Sequence, residues 1–258
     1  MAWFPLDEKG RASLVRERRA LQLLHRYCSF SVPRVLHEDV SGWDVRELVA
    51  GIVDAVGVHQ RLLGDPAFAH ALGHELGRIL AQQHTRIPRT ELAGQWPTVP
   101  SWPRPEDLPG LSQVIADAGL QARIKEALRR HAQLTRSVED PVLAHCDLGP
   151  HNMVFDPISG RLVGIFDYGA AVFGDRHHDF KYMVFQLSDE HLLEGALAVY
   201  EPLTGITIDR DRIRLLNAIA AIGYLAFRHG HAPEENWCGR TLAMDLSWTH
   251  SALDGAGL

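Results

Sequence analysis

The chain has 258 residues, of which 46% are hydrophobic and 22% are charged, and its formal net charge at pH 7 is −6. This composition is typical of a globular protein of one or two domains and excludes a disordered chain. The mild acidity argues against a nucleic-acid binder, which would carry a basic face. Three cysteines lie far apart and indicate no disulfide framework. No segment resembles a signal peptide or a membrane span, so we expect a cytoplasmic protein with no membrane association.

The N-terminal segment predicts an edge strand followed by a helix. Residues 2–6 are apolar and interrupted by a proline, so they form one edge strand at most. Residues 11–27 have a helical pattern, with an apolar stripe made of Leu14, Leu21 and Leu24. Glu17 lies on that stripe, where a carboxylate facing the core needs a partner. The alternative is a tilted stripe with Glu17 at its margin.

The rest of the chain predicts few strands and many helices. Strand patterns at 34–40 and 44–49 are joined by a Ser41-Gly42 turn, and residues 50–57 form a linker. A proline-rich loop covers 94–110. The remaining helical patterns cover residues 68–84, 111–134 and 189–256. We therefore predict an α+β fold, with a small strand-containing front piece (1–49) and a large helical rear piece (58–258).

One β-hairpin is embedded in the rear piece. Its strand patterns, 153–156 and 161–167, flank the turn sequence Pro157-Ile158-Ser159-Gly160. The polar residues around it are His145, Asp147, Asn152 and Asp167. A hairpin brings the residue before its first strand beside the residue after its second, so Asn152 and Asp167 are expected to be neighbours.

These residues suit phosphoryl transfer. Amide and carboxylate oxygens are the ligands that Mg²⁺ takes together with substrate phosphates, so Asn152 and Asp167 predict a magnesium site. Asp147 is then free to accept a proton from a hydroxyl. The alternative is that Asp and Asn only satisfy backbone groups at turns. His145 is either a ligand or a structural hydrogen-bonding residue.

A zinc site is a third interpretation of this region. His151, His177 and His178 lie within one stretch, but they lack the HExxH spacing and have no cysteine partners. A zinc-dependent hydrolase is therefore the least favoured function.

Three sequence blocks carry a resemblance to a known family. HCDLGPHN, GIFDYG and GDRHHDF occur in this order and at the expected intervals. Together they resemble the aminoglycoside phosphotransferase and choline kinase superfamily, which has a protein-kinase-like two-lobe fold. The resemblance continues outside these blocks. RERRALQLL resembles the family's front-lobe helix, and LGHELGRILAQQH resembles the first helix of its rear lobe. VRELVAG resembles the hinge, which leads into the predicted linker at 50–57.

The resemblance implies roles for individual residues. Asp147 would be the catalytic base, and His145 would brace its loop. Asn152 and Asp167 would hold Mg²⁺ on the phosphates of ATP or GTP. Asp179 would tie the helix that follows to the catalytic loop.

The resemblance also implies how the front lobe holds the nucleotide. Glu17 would pair with a strand lysine and so position the phosphates. The hinge would contact adenine through Glu47, Leu48 and Val49. The acceptor would be a hydroxyl of a small molecule, such as an aminoglycoside-like antibiotic.

The front lobe departs from the family pattern. Trp3 occupies the position expected for the strand lysine, and no glycine-rich turn precedes it. The nearest cations are Lys9 and Arg11. Three explanations stay open: a start upstream of Met1, a catalytically degenerate relative acting as a binding module, or completion of the site by another chain or by a rearranged lobe. The short sheet also predicts an exposed edge through which two copies would form a homodimer.

The acceptor site has weaker candidates. Acidic residues on the rear helices would favour amine-bearing acceptors, and the candidates are Glu190, Glu194, Glu234, Glu235 and Asp245.

Overall fold

The computed structural model of the chain describes residues 1–94, 96–100, 108, 111, 115–134, 138–184, 190–231 and 241–258. The helices are α1 (Glu8–Tyr27), α2 (Ala55–Gly64), α3 (Pro66–Arg86), α4 (Ala118–Leu134), α5 (His177–Phe180), α6 (His191–Thr204), α7 (Arg210–His231) and α8 (Leu242–Gly255). The strands are β1 (Ala2–Trp3), β2 (Arg34–Glu38), β3 (Asp44–Glu47), β4 (Val142–Ala144), β5 (Met153–Phe155), β6 (Leu162–Ile165) and β7 (Val172–Gly174).

The front of the chain is a three-stranded antiparallel sheet beside α1. Its strand order is β1-β3-β2, so β1 is an edge strand as predicted. Helix α1 begins at Glu8, three residues before the predicted start, because Asp7 accepts a hydrogen bond from the Gly10 N–H (2.6 Å) and caps it. The predicted stripe of Leu14, Leu21 and Leu24 is buried.

Helix α3 forms the apolar support behind the site. Asp65 caps it and Pro66 occupies its first turn, where a missing N–H costs nothing. One face of the helix is buried along its length, at Leu72, Leu76, Ile79, Leu80 and Gln83. Helix α2 begins at Ala55, inside the segment predicted as a linker.

The predicted β-hairpin is confirmed. Strands β5 and β6 pair antiparallel with Met153 opposite Ile165, and the turn between them contains Gly160 at a φ of 67°. Strands β4 and β7 form a second antiparallel pair. These four strands bring the polar residues of the central stretch to one region.

The chain divides into two compact units. Unit 1 comprises residues 1–99 and 140–208, and unit 2 comprises residues 100–139 and 209–258. Unit 1 contains the front sheet, the hairpin and the predicted catalytic residues, so the lobe boundary expected near residue 50 lies inside it and stays a prediction. In unit 2, α7 packs against α4 and α8. Among the described residues, no helix combines the length and apolar character that crossing a membrane requires.

Candidate functional site

A buried carboxylate fixes the loop after β4. Asp179 on α5 has no exposed surface and accepts hydrogen bonds from the backbone N–H groups of His145 (3.0 Å) and Cys146 (2.8 Å). It also accepts from Gln83 Nε2 (3.2 Å) and His84 Nε2 (3.0 Å) of α3. Cys146 has a φ of 67°, a strained value for a residue other than glycine, which persists only when its surroundings hold it. The structural role expected for Asp179 is therefore confirmed.

The pKa of Asp179 shows which effect dominates there. Burial alone would raise the pKa of this carboxyl, but hydrogen bonds from His84 and from the Cys146 N–H outweigh burial and leave the pKa below its ordinary value. Burial lowers the pKa of His84, which is consistent with a neutral ring that donates from Nε2 and accepts from the Tyr200 hydroxyl at Nδ1 (3.0 Å).

His145 links this loop to the end of β6. Its Nδ1 accepts from the Asp147 N–H (3.2 Å), so its Nε2 carries the proton and donates to the Phe166 carbonyl (3.0 Å). The side chain is fully buried. Both ring nitrogens are thus used in bracing backbone, in agreement with the loop-bracing role; its contribution to catalysis stays a prediction.

Asp147 presents a carboxylate held from several sides. The Tyr182 hydroxyl donates to Oδ1 (2.8 Å), Asn152 Nδ2 donates to Oδ2 (3.2 Å), and His151 Nε2 lies 3.4 Å from the same oxygen. Burial would raise the pKa of Asp147, but the contacts with His151 and Tyr182 outweigh it and lower the pKa. Asp147 is therefore ionised at neutral pH and able to accept a hydrogen bond from a hydroxyl.

Asn152 and Asp167 are brought together at one end of the hairpin, as their positions predicted. The Phe166 N–H donates to the Asn152 carbonyl (3.1 Å), which extends the β5–β6 pairing to the residue before Asp167. The negative charge of Asp167 contributes to a raised pKa of His151, behind the larger effect of Asp147. The Asp167 side chain is thus within electrostatic reach of the loop that carries Asp147.

The oxygen atoms here fit a magnesium ion. Asn152 uses Nδ2 toward Asp147, with bonds to its carbonyl (2.8 Å) and carboxylate, which leaves Oδ1 as the atom that a metal could use. Asp167 is exposed, and its described backbone contact is a long one from the Gly169 N–H (3.4 Å). An amide oxygen and an exposed carboxylate are the hard ligands that Mg²⁺ accepts beside phosphates.

The described histidines do not form the cluster that the zinc interpretation requires. Among them, no three His, Cys, Asp or Glu side chains converge on a point where a metal could bind. His177 is 2.6 Å from the Asp175 carboxylate, whereas His151 is directed to Asp147. The proximity of these histidines in sequence does not bring them together in the fold.

Glu17 faces inward, and its partner is an arginine instead of the expected lysine. The residue is 6% exposed, so the alternative of a marginal position is wrong. Arg46 Nη1 of β3 lies 2.6 Å from Glu17 Oε2, and the Arg46 guanidinium lies 5.2 Å from the centre of the Trp3 ring. Trp3, at the expected lysine position, therefore covers the cation that pairs with Glu17.

Sequence reasoning missed Arg46. On the short strand β3 the charged Asp44 and Arg46 alternate with an apolar residue, a pattern typical of a solvent-facing side. In the structure both are buried, and Asp44 binds Arg46 Nε and Nη2, each at 3.0 Å. The signal that would have found it is Glu17 itself, because a carboxylate on an apolar stripe requires a cation nearby.

The segment after β3 runs past the hairpin. Glu47 and Leu48 are exposed, and Val49 is half-buried against β6, where a Cβ on Gly164 would lie 2.8 Å from Val49 Cγ1. Gly164 is thus required by close approach. The contact of Glu47, Leu48 and Val49 with adenine stays a prediction.

The acceptor candidates have different environments. Asp245 is fully buried and forms an ion pair with Arg228 Nε, so it is not available to an amine on a ligand. Glu194 is exposed, with His191 Nδ1 at 3.5 Å. Glu190 precedes α6. Glu234 and Glu235 lie outside the described residues.

Comparison with known proteins decides the family. The model of the phosphotransferase enzyme family (APH) matches residues 4–216. The chain belongs to this family. An aminoglycoside 3'-phosphotransferase of Streptomyces fradiae is 29% identical over 203 residues, which are 67% of this chain. The alignment spans 64% of that relative's length.

Solved structures share the fold of this phosphotransferase family member. The GDP complex of aminoglycoside 2'-phosphotransferase-IIIa matches with a TM-score of 0.70 and 19% identity, covering 98% of this chain and 85% of that one. Macrolide 2'-phosphotransferase MphH from Brachybacterium faecium matches with a TM-score of 0.62 and 18% identity, covering 97% and 82%. The mixed α+β, kinase-like fold expected from the sequence is confirmed.

Proposed function

We propose that the chain transfers the γ-phosphoryl group of ATP or GTP to a hydroxyl of a small molecule of the aminoglycoside or macrolide type. One observation carries this proposal. Asp147 is an ionised and partly exposed carboxylate. Its loop is held by Asp179, which accepts hydrogen bonds from two backbone N–H groups of that loop. Asn152 and Asp167, which are suited to Mg²⁺, lie beside it. This combination is what phosphoryl transfer to a hydroxyl needs, since the enzyme mainly positions groups and stabilises charge.

Asp147 would orient the acceptor hydroxyl and take its proton. Its lowered pKa makes it a weak base, which suits a reaction in which the proton leaves late, as the bond to phosphorus forms. Tyr182 and Asn152 hold the two carboxylate oxygens in place, so the hydroxyl meets an acceptor that is already oriented.

Asn152 and Asp167 would hold Mg²⁺ through Oδ1 and the carboxylate. The ion would neutralise negative charge on the nucleotide phosphates. Glu47, Leu48 and Val49 would border the base. The acidic net charge and the aminoglycoside-modifying relative support an amine-bearing acceptor, and the fold shared with a macrolide enzyme supports testing neutral ones as well.

The direct test is product identification. Purified full chain is incubated with Mg²⁺, with ATP or GTP, and with a panel of aminoglycosides and macrolides, and acceptors carrying one added phosphoryl group are detected by mass spectrometry. We expect a modified acceptor that disappears when EDTA removes the metal. No modified acceptor with either nucleotide, together with no nucleotide turnover, would contradict the proposal.

A second function, a binding module without catalysis, is favoured by one observation. Arg46, the cation that pairs with Glu17, is also bound by Asp44 and is almost fully buried, so it is committed to carboxylates. Thermal unfolding separates the two functions. A binding module of this kind shows no shift in melting temperature with ATP and Mg²⁺, whereas a phosphotransferase is stabilised by both together.

A further inference from the structure

The backbone at Asp167 is strained, and both of its flanks are fixed. Asp167 has φ 63° and ψ 64°, a left-handed conformation that is sparsely populated outside glycine, although aspartate adopts it more often than most residues. On the side before it, the Phe166 carbonyl accepts from His145 Nε2 (3.0 Å), and the Phe166 N–H donates to the Asn152 carbonyl (3.1 Å). The exposed carboxylate is therefore positioned by backbone on either side.

Helix α1 binds the backbone that follows Asp167 in the sequence. The Tyr168 N–H donates to Glu17 Oε1 (3.2 Å). The Gly169 carbonyl accepts from Ser13 Oγ (3.0 Å) and Arg16 Nη2 (2.8 Å). A Cβ on Gly169 would lie 2.5 Å from Ser13 Oγ, so the segment fits closely against the helix. Among these contacts with α1, the one that Glu17 makes lies nearest to Asp167 along the chain.

Glu17 needs a counter-charge to keep this contact. Burial raises the pKa of Glu17, and the charge of Asp167 adds to the rise, while Arg46 opposes both through its charge and its hydrogen bond. Arg46 in turn is fixed by a two-atom contact with Asp44 through Nε and Nη2, which leaves Nη1 directed at Glu17. The planar Arg46 guanidinium therefore binds two buried carboxylates, those of Asp44 and Glu17, at the same time. The ammonium group of a lysine does not reproduce this geometry.

We propose that Arg46 is a positioning residue for Asp167: it anchors the Glu17 carboxylate, which receives the Tyr168 N–H and so holds the strained backbone that presents Asp167 to the metal. Arg46 acts through Glu17 and does not touch nucleotide. Its side chain is 1% exposed and is covered by Trp3. The inference rests on the proposed function in one respect, which is that Asp167 binds a metal ion.

Hydrogen–deuterium exchange of the full chain, resolved to the Tyr168 amide, tests the contact itself. The variants are Arg46→Met, Arg46→Lys and Glu17→Gln. Arg18→Met is the matched control, because Arg18 Nε binds the same Asp44 carboxylate (2.9 Å) and has no described contact with Glu17. We expect Tyr168 to exchange about tenfold faster or more in Arg46→Met, less so in Arg46→Lys, and at the wild-type rate in Arg18→Met.

Titration with Mn²⁺ in the presence of ADP, followed by electron paramagnetic resonance, tests the consequence for the metal. Loss of a group that orients a ligand typically weakens metal binding about 10- to 100-fold, and we expect this for Arg46→Met but not for Arg18→Met. An Mn²⁺ affinity of Arg46→Lys between those of the wild type and Arg46→Met supports an orienting role for Arg46.

Wild-type exchange at Tyr168 in folded Arg46→Met would overturn the proposal. If Arg46→Met does not fold, the test uses Arg46→Lys and Glu17→Gln instead. A wild-type exchange rate of the Tyr168 amide in both variants would overturn the proposal. Equal weakening of Mn²⁺ binding in Arg18→Met would do the same, since it would indicate general loosening. Absence of phosphoryl transfer by the wild type would instead contradict the proposed function, and the exchange result would still decide the role of Arg46.

Discussion

Asp179 accepts four hydrogen bonds beneath the loop that carries Asp147, from two backbone N–H groups and from Gln83 and His84. Replacement by asparagine removes the charge and turns one acceptor oxygen into a donor that faces other donors. We expect Asp179→Asn to lower the free energy of unfolding by about 3 kcal/mol at neutral pH, measured by urea denaturation. An unchanged urea midpoint would contradict the contacts described here.

The same substitution predicts a pH dependence. The pKa of Asp179 is lower in the folded protein than its ordinary value. The ionised carboxylate therefore stabilises the fold above about pH 4, and this contribution is lost as the pH falls through the folded-state pKa. The difference in unfolding free energy between wild type and Asp179→Asn should narrow below pH 4. A constant difference at all pH values would contradict this assignment.

At the scale of elements, α3 and α6 approach each other at glycines. A Cβ on Gly73 would lie 2.2 Å from the Leu192 carbonyl oxygen, and one on Gly77 would lie 2.3 Å from that of Ala196. Alanine has the higher helix propensity, yet at Gly77 it would push the two backbones apart. Since α3 carries Gln83 and His84, this spacing also sets the support of Asp179.

Gly77→Ala is therefore expected to destabilise the protein by about 1–3 kcal/mol in urea denaturation. Gly64 at the end of α2 is the matched control, because a Cβ there meets nothing within 4 Å. Gly64→Ala should be neutral or stabilise by about 0.5–1 kcal/mol. An equal change in unfolding free energy for Gly77→Ala and Gly64→Ala would show that helix propensity outweighs packing between the helices.

Local patterns were sufficient to predict these elements, but not how closely they approach. The hairpin followed from two apolar stretches around a Pro-Gly turn segment, and α3 followed from its apolar period. Helix α1 started earlier than predicted because the decisive signal was the Asp7 cap instead of the apolar stripe. The roles of Gly73 and Gly77 depend on a partner helix more than 100 residues away in the sequence, which no local pattern contains.

At the scale of the whole molecule, the predicted site residues of the central stretch lie in one compact unit with the front sheet. His145, Asp147, Asn152 and Asp167 were identifiable because they surround a hairpin whose geometry is known from its turn. Arg46 was not, since its burial and its contact with Glu17 arise only when β3 and α1 meet in the fold. The strained backbone of Asp167 was likewise not predicted, because aspartate, although enriched at positive φ, adopts it in only a minority of its positions.

The homodimer predicted through the front sheet stays a prediction. Phe4 is 63% exposed and Leu6 is 99% exposed, next to the edge strand β1. Both features are consistent with an edge that pairs with a second copy.

The central claim is that Asp147 serves phosphoryl transfer. It is tested most directly by the kcat for acceptor phosphorylation in Asp147→Asn, compared with Asp156→Asn. Asp156 is the matched control, because it follows the same loop and its side chain accepts turn hydrogen bonds from Ile158 and Ser159. We predict a kcat about 10²- to 10⁴-fold lower for Asp147→Asn and near the wild-type value for Asp156→Asn. A wild-type kcat in Asp147→Asn would contradict the account.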